Sequence, residues 1–332
     1  MPKKYKSTTL VTGGAGFIGS HLVDRLIKLN HKVIIIDNLS TGRIENIKEN
    51  LRKIIFIKKD ISNISSIKKY FNKVDNVFHL AALADIVPSI NHPYDYFKAN
   101  VLGTLNVLEL SKKNKIKKFI YTASSSCYGV PKKYPTDEKE KIDTRYPYAL
   151  TKKNGEDLVL HWGKIYNLNV VSFRLFNVYG TRSRTSGTYG AMFGTFLKQK
   201  IHNHPFTVVG DGNQKRDFTY VLDVVDALIK GMNYKKSNQI FNVGSGKTVS
   251  INYICKLLDG KKISIPKRPG EPDITFANVK KIRKELNWRA KIPVEMGVKL
   301  LIKNIEYWKK APLWTPNKIK VATKDWFKFL KD

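Results

Sequence analysis

The chain has few cysteines, few acidic residues and no long apolar run. Cys127 and Cys255 are its two cysteines, and their spacing matches neither a disulfide framework nor a zinc site. No stretch approaches the roughly 18 apolar residues of a membrane span, and Met1–Lys6 has no apolar signal-peptide core. We therefore expect no metal, no membrane insertion and a cytoplasmic location.

The shortage of acidic residues leaves a formal net charge of +33, from 60 lysines and arginines against 27 aspartates and glutamates. Such a charge can indicate a nucleic-acid partner. Here lysine is spread over nearly every predicted helix and loop, and the lysine pairs at 112–113, 117–118 and 132–133 are short and separated. This pattern favours a solvated surface over one binding stripe, so we predict no nucleic-acid partner.

A glycine-rich turn follows the first apolar run. Residues 12–20 read T-G-G-A-G-F-I-G-S, which places Gly13, Gly16 and Gly19 between a predicted strand and a predicted helix. This spacing permits a tight turn, close approach of a pyrophosphate to the backbone, and packing of the helix on the sheet. The next predicted strand ends at Asp37, where a carboxylate can hold ribose hydroxyls and repel a 2′-phosphate. The motif predicts an NAD site, with an ordinary glycine-rich turn as the alternative.

Strand and helix patterns alternate along the first half of the chain. The predicted strands are Thr9–Thr12, Val33–Ile36, Ile54–Ile57, Val77–Leu80, Phe119–Ala123 and Val170–Leu175. Their alternation with helices predicts an α/β fold, a Rossmann-type doubly wound parallel sheet. We expect an NAD-binding domain over 1–176, rejoined by 217–245, and a smaller α/β substrate-binding lobe within 177–332. His79, in the fourth predicted strand, is interpreted as a core residue rather than a catalyst.

Three side chains form a candidate catalytic set. Tyr148 and Lys152 lie four residues apart, so a helix presents both on one face. Ser124 follows the fifth predicted strand, at the sheet edge where cofactors bind. A tyrosine base near pH 7 needs its pKa lowered by about 3 units, and Lys152 with an oxidised nicotinamide can supply the positive charge. Alone, the Tyr–Lys pair is more typical of a surface helix, and its order with the glycine turn, Asp37 and the serine run favours catalysis.

The order of these motifs resembles the extended short-chain dehydrogenase/reductase family, and most closely its NAD-dependent nucleotide-sugar epimerase and dehydratase branch. The resemblance also rests on Asp60-Ile61, Asn100–Asn106, Arg174–Asn177, Arg216–Phe218 and Phe241–Gly244. It implies tightly held NAD, with Tyr148 as catalytic base, Lys152 on the nicotinamide ribose and Ser124 as hydroxyl partner. It further implies a homodimer that pairs two helices per subunit, here residues 94–113 and 148–166.

The resemblance implies two sets of binding residues. The cofactor set is Gly13, Gly16, Phe17, Ile18, Asp37, Asn38, Asp60, Ile61, Leu80, Ala81, Ala82, Asn100, Tyr148 and Lys152. The nucleotide-sugar set is Ser124, Ser125, Ser126, Tyr148, Asn177, Arg216, Arg268, Glu271 and Thr275. Arginine suits a diphosphate because its guanidinium is always charged and binds two oxygens at once, although Arg268 could instead cap a loop.

The residues after Ser124 distinguish the reactions within the branch. The 4,6-dehydratases that this chain resembles have an Asp-Glu pair there, and the decarboxylases of the branch share a glutamate at the second position. This chain has Ser125 and Ser126. Loss of a hydroxyl at C6 needs a positioned proton donor, so the serines favour a nucleotide-sugar 4-epimerase. The alternative is a nucleotide-sugar 4,6-dehydratase, or a UDP-glucuronate decarboxylase/epimerase of the same branch.

The substrate is expected to be a UDP-hexose or a UDP-N-acetylhexosamine, and Thr275 bears on the choice between them. Thr275 stands where many glucose-type epimerases carry a tyrosine, which predicts room for an N-acetyl group.

The tail from Trp308 to Asp332 extends beyond the usual epimerase end, and core cover or a subunit contact is its simplest interpretation. The alternative from another functional class is a Rossmann-like RNA-binding protein that has lost its catalytic activity. The intact catalytic set disfavours this alternative.

Overall fold

The computed structural model describes residues 5–183 and 192–330. The strands are β1 Thr8–Thr12, β2 Lys32–Asp37, β3 Ile54–Lys58, β4 Asn76–His79, β5 Lys118–Ser124, β6 Val170–Leu175, β7 Val178–Tyr179, β8 Phe206–Val209, β9 Lys215–Arg216, β10 Thr219–Tyr220, β11 Gln239–Val243, β12 Val249–Ser250, β13 Lys262–Ile265 and β14 Ile274–Thr275.

The α-helices connect and cover these strands. They are α1 Phe17–Lys28, α2 Ile64–Ile67, α3 Ile86–Asn91, α4 Pro93–Phe97, α5 Gly103–Lys113, α6 Pro147–Ile165, α7 Met192–Ile201, α8 Val221–Met232, α9 Ile251–Leu258, α10 Lys280–Leu286, α11 Val294–Lys303, α12 Pro316–Ala322 and α13 Lys324–Phe329. A π-helical turn, Lys98–Leu102, joins α4 to α5. Short 3₁₀ helices lie at Ile44–Asn46, Lys48–Lys53, Lys68–Phe71, Ser125–Tyr128 and Ile305–Trp308.

Seven parallel strands form the central sheet, in the order β11-β6-β5-β4-β1-β2-β3. The strand order reverses between β1 and β4, and a crevice opens beyond the carboxyl ends of the strands at such a point. All six predicted strands are present, with every end within one residue of the prediction. The segment 240–243 lies in β11 and extends the same sheet beside β6. The predicted Rossmann-type α/β fold is confirmed.

Helices cover both faces of this sheet, as its strands require because they are buried on each side. On one face, α1 and α8 contribute Leu22, Leu26, Val224 and Leu228 to a continuous apolar core. On the other face, α5 and α6 contribute a second core that includes Val107, Leu108 and Val159. Full burial of each such side chain stabilises the fold by about 1.5–3 kcal/mol.

A smaller lobe packs around its own apolar core beyond the carboxyl edge of the sheet. Phe196 of α7 stacks on Phe206 of β8 with ring centroids 5.0 Å apart, and Trp308 is fully buried nearby. Two short sheets frame this lobe: β8 pairs with β13, and β9 pairs with both β12 and β14. Across the residues described, no helix is long and apolar enough to cross a membrane. The domain boundaries at 176, 217 and 245 stay a prediction.

Candidate active site

A cavity of about 910 Å³ runs along the carboxyl edge of the sheet and reaches into the smaller lobe. Every residue of the two predicted binding sets lines it except Asn100. The cavity also contains residues that the sequence did not indicate as site residues, among them Asp85, Tyr146 and Trp326. Its size lies within the range of cofactor and small-molecule sites, about 300–1,000 Å³.

The glycine turn forms one end of this cavity. Gly13 has φ +72°, and a side chain there would meet the backbone nitrogen of Ala81 at 2.7 Å. A Cβ on Gly19 would meet the carbonyl oxygen of Gly13 at 2.1 Å, so the turn closes tightly on the first helix. Gly16 precedes α1 and contributes no side-chain cap, which leaves the first N–H groups of the helix available to an anion. This arrangement fits the pyrophosphate of a dinucleotide.

Asp37 lies beside the turn at the end of β2. Its carboxylate accepts hydrogen bonds from the backbone N–H groups of Ala15 at 2.9 Å and Leu39 at 2.8 Å. Burial raises the pKa of this carboxyl above its usual value, and the two backbone bonds oppose that rise. Next to it, the Asn38 amide donates to Asp60 at 2.9 Å. These acceptors suit ribose hydroxyls better than a phosphate.

The candidate catalytic side chains meet between β5 and α6. Tyr148 lies in the first turn of α6, and Pro147 starts the helix. Ser126 Oγ donates to Ser124 Oγ at 2.8 Å, and Tyr148 shares a side-chain hydrogen bond with Ser124. Burial raises the pKa of Tyr148, and the bond with Ser124 lowers it by a smaller amount. The surrounding protein therefore keeps the phenol protonated, so a base near pH 7 needs an additional positive charge beside the ring.

Lys152 lies one helical turn after Tyr148, and its side chain is buried. Its Nζ lies 4.4 Å from the centroid of the Tyr121 ring, a cation–π distance. Burial lowers the pKa of Lys152 to about 7, although Glu156 one turn further on raises it. The amine therefore changes charge near neutral pH, and a neighbouring anion or hydroxyl group shifts this equilibrium.

His79 and Asn100 support the site from behind the cavity wall. His79 accepts from Thr12 at its Nδ1 (2.7 Å) and donates from its Nε2 to Thr104 (2.9 Å), whose own hydroxyl donates to the Asn100 carbonyl. Burial, with the charge of Lys152, lowers the pKa of His79 to about 3. His79 is therefore a neutral core residue, as expected.

Asn100 was predicted among the cofactor residues, but the structure places it outside the cavity. Its amide donates to the Leu83 carbonyl at 3.0 Å and to Thr151 Oγ1 at 3.1 Å, and it accepts from the Leu83 N–H at 2.8 Å. A side chain engaged in this way fixes the loop after β4, which itself lines the cavity.

The helix that carries Tyr148 is tied to the sheet by a buried ion pair. Glu156 of α6 accepts from the Arg174 guanidinium at 2.6 Å and from the Ser172 hydroxyl at 2.7 Å. Arg174 also donates to the hydroxyl of Tyr128 at 2.8 Å. Two charges buried without partners would be costly, so this pairing fixes α6 against β6. The sequence pattern around Arg174 supported the resemblance but did not indicate this partner.

The other end of the cavity is lined by two arginines, Arg216 on β9 and Arg268 on the loop before β14. Arg216 donates to Glu271 at 3.0 Å, and Arg268 lies 3.6 Å from the other carboxylate oxygen of Glu271. Thr275 pairs with Arg216 in the register of β14 and β9, and its hydroxyl donates to the Asn177 side chain at 2.6 Å. Two guanidiniums converging on one carboxylate form a site suited to a diphosphate.

Comparison with known proteins decides the family. The family model described as "NAD dependent epimerase/dehydratase family" matches residues 9–244. The chain belongs to this family. Family membership confirms the predicted NAD cofactor, and the residues around the glycine turn and Asp37 fit it. When bound, NAD supplies a nicotinamide that accepts and returns hydride.

Individual members of the family are similar over most of their length. A UDP-glucuronate 4-epimerase of Thermodesulfobacterium geofontis is 34% identical over 333 residues, covering 94% of this chain and 99% of the relative. The structure of a UDP-glucose 4-epimerase from Thermotoga maritima with UDP-glucose has 34% identity and a TM-score of 0.84, covering 91% of this chain and 99% of that one. A UDP-N-acetylglucosamine 4-epimerase from Methanobrevibacter ruminantium, in complex with UDP-N-acetylmuramic acid, has 32% identity and a TM-score of 0.84, with 91% and 100% covered.

Proposed function

We propose that the protein is an NAD-dependent 4-epimerase of UDP-hexoses or UDP-N-acetylhexosamines. The observation that carries the proposal is the meeting of Ser124, Tyr148 and Lys152 in one cavity, between a dinucleotide end and an arginine-lined end. A nucleotide sugar whose diphosphate lies near the arginines would place its sugar beside Tyr148. The similar proteins named above are 4-epimerases of three different UDP sugars, so they do not identify the sugar. We infer the sugar from the site residues of this chain.

The residues divide the reaction between them. Tyr148 takes the proton of the C4 hydroxyl while hydride leaves C4, and it returns that proton after the keto sugar has turned over. Ser124, already bonded to Tyr148, shares the proton and orients the hydroxyl. Lys152 would bind the nicotinamide ribose, and its ammonium form would add positive charge near the phenol. General acid–base catalysis of this kind contributes about 10²–10⁴-fold to a rate.

The hydroxyls that follow Ser124 favour epimerisation over the two alternatives. Ser126 donates to Ser124 and shares a side-chain hydrogen bond with Tyr146, so its hydroxyl is engaged in ordering the site. A serine has no proton to give near neutral pH comparable to that of a carboxylic acid. A 4,6-dehydratase needs such an acid at C6, whereas a 4-epimerase needs no acid at that carbon.

The proposed assembly is a homodimer. Helices α4 and α5, joined end to end by the π-helical turn, both lie against α6. Several large apolar residues on this pair or at its ends are exposed: Tyr94, Phe97, Leu102, Leu150, Ile165 and Tyr166. A surface of this kind on two neighbouring helices suits a symmetric contact with a second copy. Self-pairing of this surface would form a four-helix interface.

The experiment that tests the function is product analysis by proton NMR. The purified protein is incubated separately with UDP-glucose, UDP-galactose, their N-acetyl forms and UDP-glucuronate. We expect the C4 epimer of at least one of the first four, and no dehydrated or decarboxylated product. Release of carbon dioxide from UDP-glucuronate, or a 4-keto-6-deoxy product, would instead identify one of the alternative reactions.

The control for this experiment is Tyr148→Phe. We expect the variant to fold, to retain its cofactor and to bind the UDP sugar nearly normally, with turnover at least about 100-fold lower. Turnover within a few-fold of the unchanged protein would remove Tyr148 from the catalytic role.

A further inference from the structure

The C-terminal tail, residues 314–330, folds back over the cavity. Thr315 caps α12 by accepting a hydrogen bond from the Lys318 N–H, and Thr323 donates to the Ile319 carbonyl at 2.8 Å. Ile319 and Trp326 pack in one apolar cluster with Val87 of α3. The tail is therefore anchored to the helix that follows one of the cavity loops.

Trp326 brings the tail into the cavity itself. Its side chain is 2% exposed and lines the cavity wall. The indole N–H donates to the Pro269 carbonyl at 2.8 Å, and the ring lies 6.0 Å from that of Tyr146, centroid to centroid. The guanidinium carbon of Arg268 lies 5.4 Å from the centroid of the indole ring. These three contacts hold the ring in one orientation before any ligand binds, which reduces the entropic cost of binding.

Trp326 lies between the arginine-lined end of the cavity and the catalytic side chains, where the sugar would lie. Tyr146, its ring neighbour, lies two residues before Tyr148 and shares a hydrogen bond with Ser126. The dinucleotide end lies on the far side of β4, because β5 carries Ser124 on one side while β1 and β2 carry the glycine turn and Asp37 on the other. Trp326 is thus close to the place beside Tyr148 where C4 of the sugar would lie, and remote from the adenosine end.

We propose that Trp326 forms a wall of the sugar subsite and that the tail closes this subsite against water. The proposal rests on the proposed function and adds a substrate-positioning residue from a segment that otherwise lies outside the catalytic machinery. Arg268 lies over the indole ring, and the part of the indole that lines the cavity offers an apolar contact to the C–H groups of a hexose ring. Exclusion of water also retains a keto sugar until hydride is returned to it.

The experiment compares two ligands and three variants by titration calorimetry. The ligands are UDP, which lacks the sugar, and UDP-N-acetylglucosamine. The variants are Trp326→Ala, Trp326→Phe and the control Phe329→Ala, whose side chain is on the same helix, is 60% exposed and does not line the cavity. Circular dichroism and thermal melting verify that each variant is folded.

We expect Trp326→Ala to weaken binding of the UDP sugar about 10-fold and binding of UDP less than about 3-fold, as loss of one aromatic contact with the sugar predicts. Trp326→Phe should restore most of the loss because it keeps an apolar ring, although it removes the bond to Pro269. Phe329→Ala should bind both ligands as the unchanged protein does. During turnover, Trp326→Ala should release UDP-4-keto sugar and retain the hydride as reduced nicotinamide, visible in its near-ultraviolet absorbance.

Three results would overturn the proposal: equal weakening for UDP and the UDP sugar, which would mean that Trp326 acts through Arg268; equal loss in the Phe and Ala variants; or no weakening at all. The proposed function fails separately. An unchanged protein that binds the UDP sugar without producing its C4 epimer contradicts the function, while the titrations still decide the role of Trp326.

Discussion

At the level of single residues, we predict that Thr275 sets the room available to the sugar, because it lines the cavity. It lies on β14 beside Arg216 and donates to Asn177 at 2.6 Å, at the arginine-lined end of the cavity. Thr275→Tyr should lower kcat/KM for UDP-N-acetylhexosamines by roughly 10- to 200-fold, because overpacking a formed pocket costs about 1–3 kcal/mol. Interconversion of UDP-glucose and UDP-galactose should remain nearly intact. The measurement is the ratio of the two kcat/KM values.

Thr275→Val is the matched control, since it keeps the volume and removes the hydroxyl that bonds Asn177. It should change the two substrate classes by the same factor. If Thr275→Tyr also lowers both activities equally, Thr275 does not set the preference and the pocket is shaped elsewhere.

The residues of the site were predictable where a motif fixes both their chemistry and their place in the fold. Ser124, Tyr148 and Lys152 could be predicted because strand ends and helical spacing determine where such side chains lie. The hydrogen bonds of Asn100 to the loop after β4 could not be predicted, because they depend on tertiary contacts. Trp326 had no local signal at all, since its position depends on the path of the whole tail.

At the level of elements, substitutions in the glycine turn distinguish an effect on cofactor binding from an effect on folding. A Cβ on Gly16 would meet only the Gly13 carbonyl, at 3.1 Å, and would otherwise project into open space. Gly16→Ala should therefore fold with little change in Tm but occupy the space of the pyrophosphate, weakening NAD binding at least about 10-fold. The measurement is the nucleotide released by denaturing the purified protein, separated by chromatography.

Gly19→Ala is the contrasting variant. Its added Cβ would lie 2.1 Å from the Gly13 carbonyl oxygen, so the backbone must move and the Tm should fall markedly. Full retention of NAD by Gly16→Ala would show that the pyrophosphate binds elsewhere. NADP(H) as the main nucleotide in the unchanged protein would contradict the interpretation of Asp37.

The longer elements could be predicted from sequence patterns, and the shortest elements could not. The six predicted strands carry apolar runs bounded by polar residues, and a buried parallel sheet requires such runs. The two-residue strands β9, β12 and β14 have no comparable pattern, because they exist only through pairing with one another. Similarly, the predicted helix over 94–113 is interrupted by the π-helical turn Lys98–Leu102. The composition of this segment does not predict such a turn.

At the scale of the whole molecule, the exposed apolar residues of α4 to α6 predict a dimer. Light scattering should report twice the monomer mass at micromolar concentration. Phe97→Glu, at a position 51% exposed on α4, should produce monomers because it places a charge in the contact. Val321→Glu on the tail, at a position 77% exposed, is the control and should remain dimeric. A monomeric unchanged protein would contradict the proposed interface.

In the proposed reaction, hydride leaves C4 of a UDP sugar and returns to the opposite face of the same carbon. Proton NMR of the reaction run in deuterium oxide, with UDP-glucose and UDP-N-acetylglucosamine, follows this hydrogen directly. Since the same hydrogen leaves C4 and returns, the product should be the galacto epimer with ordinary hydrogen at C4 and no deuterium at any ring carbon. Deuterium on a ring carbon, or inversion at a carbon other than C4, would contradict it.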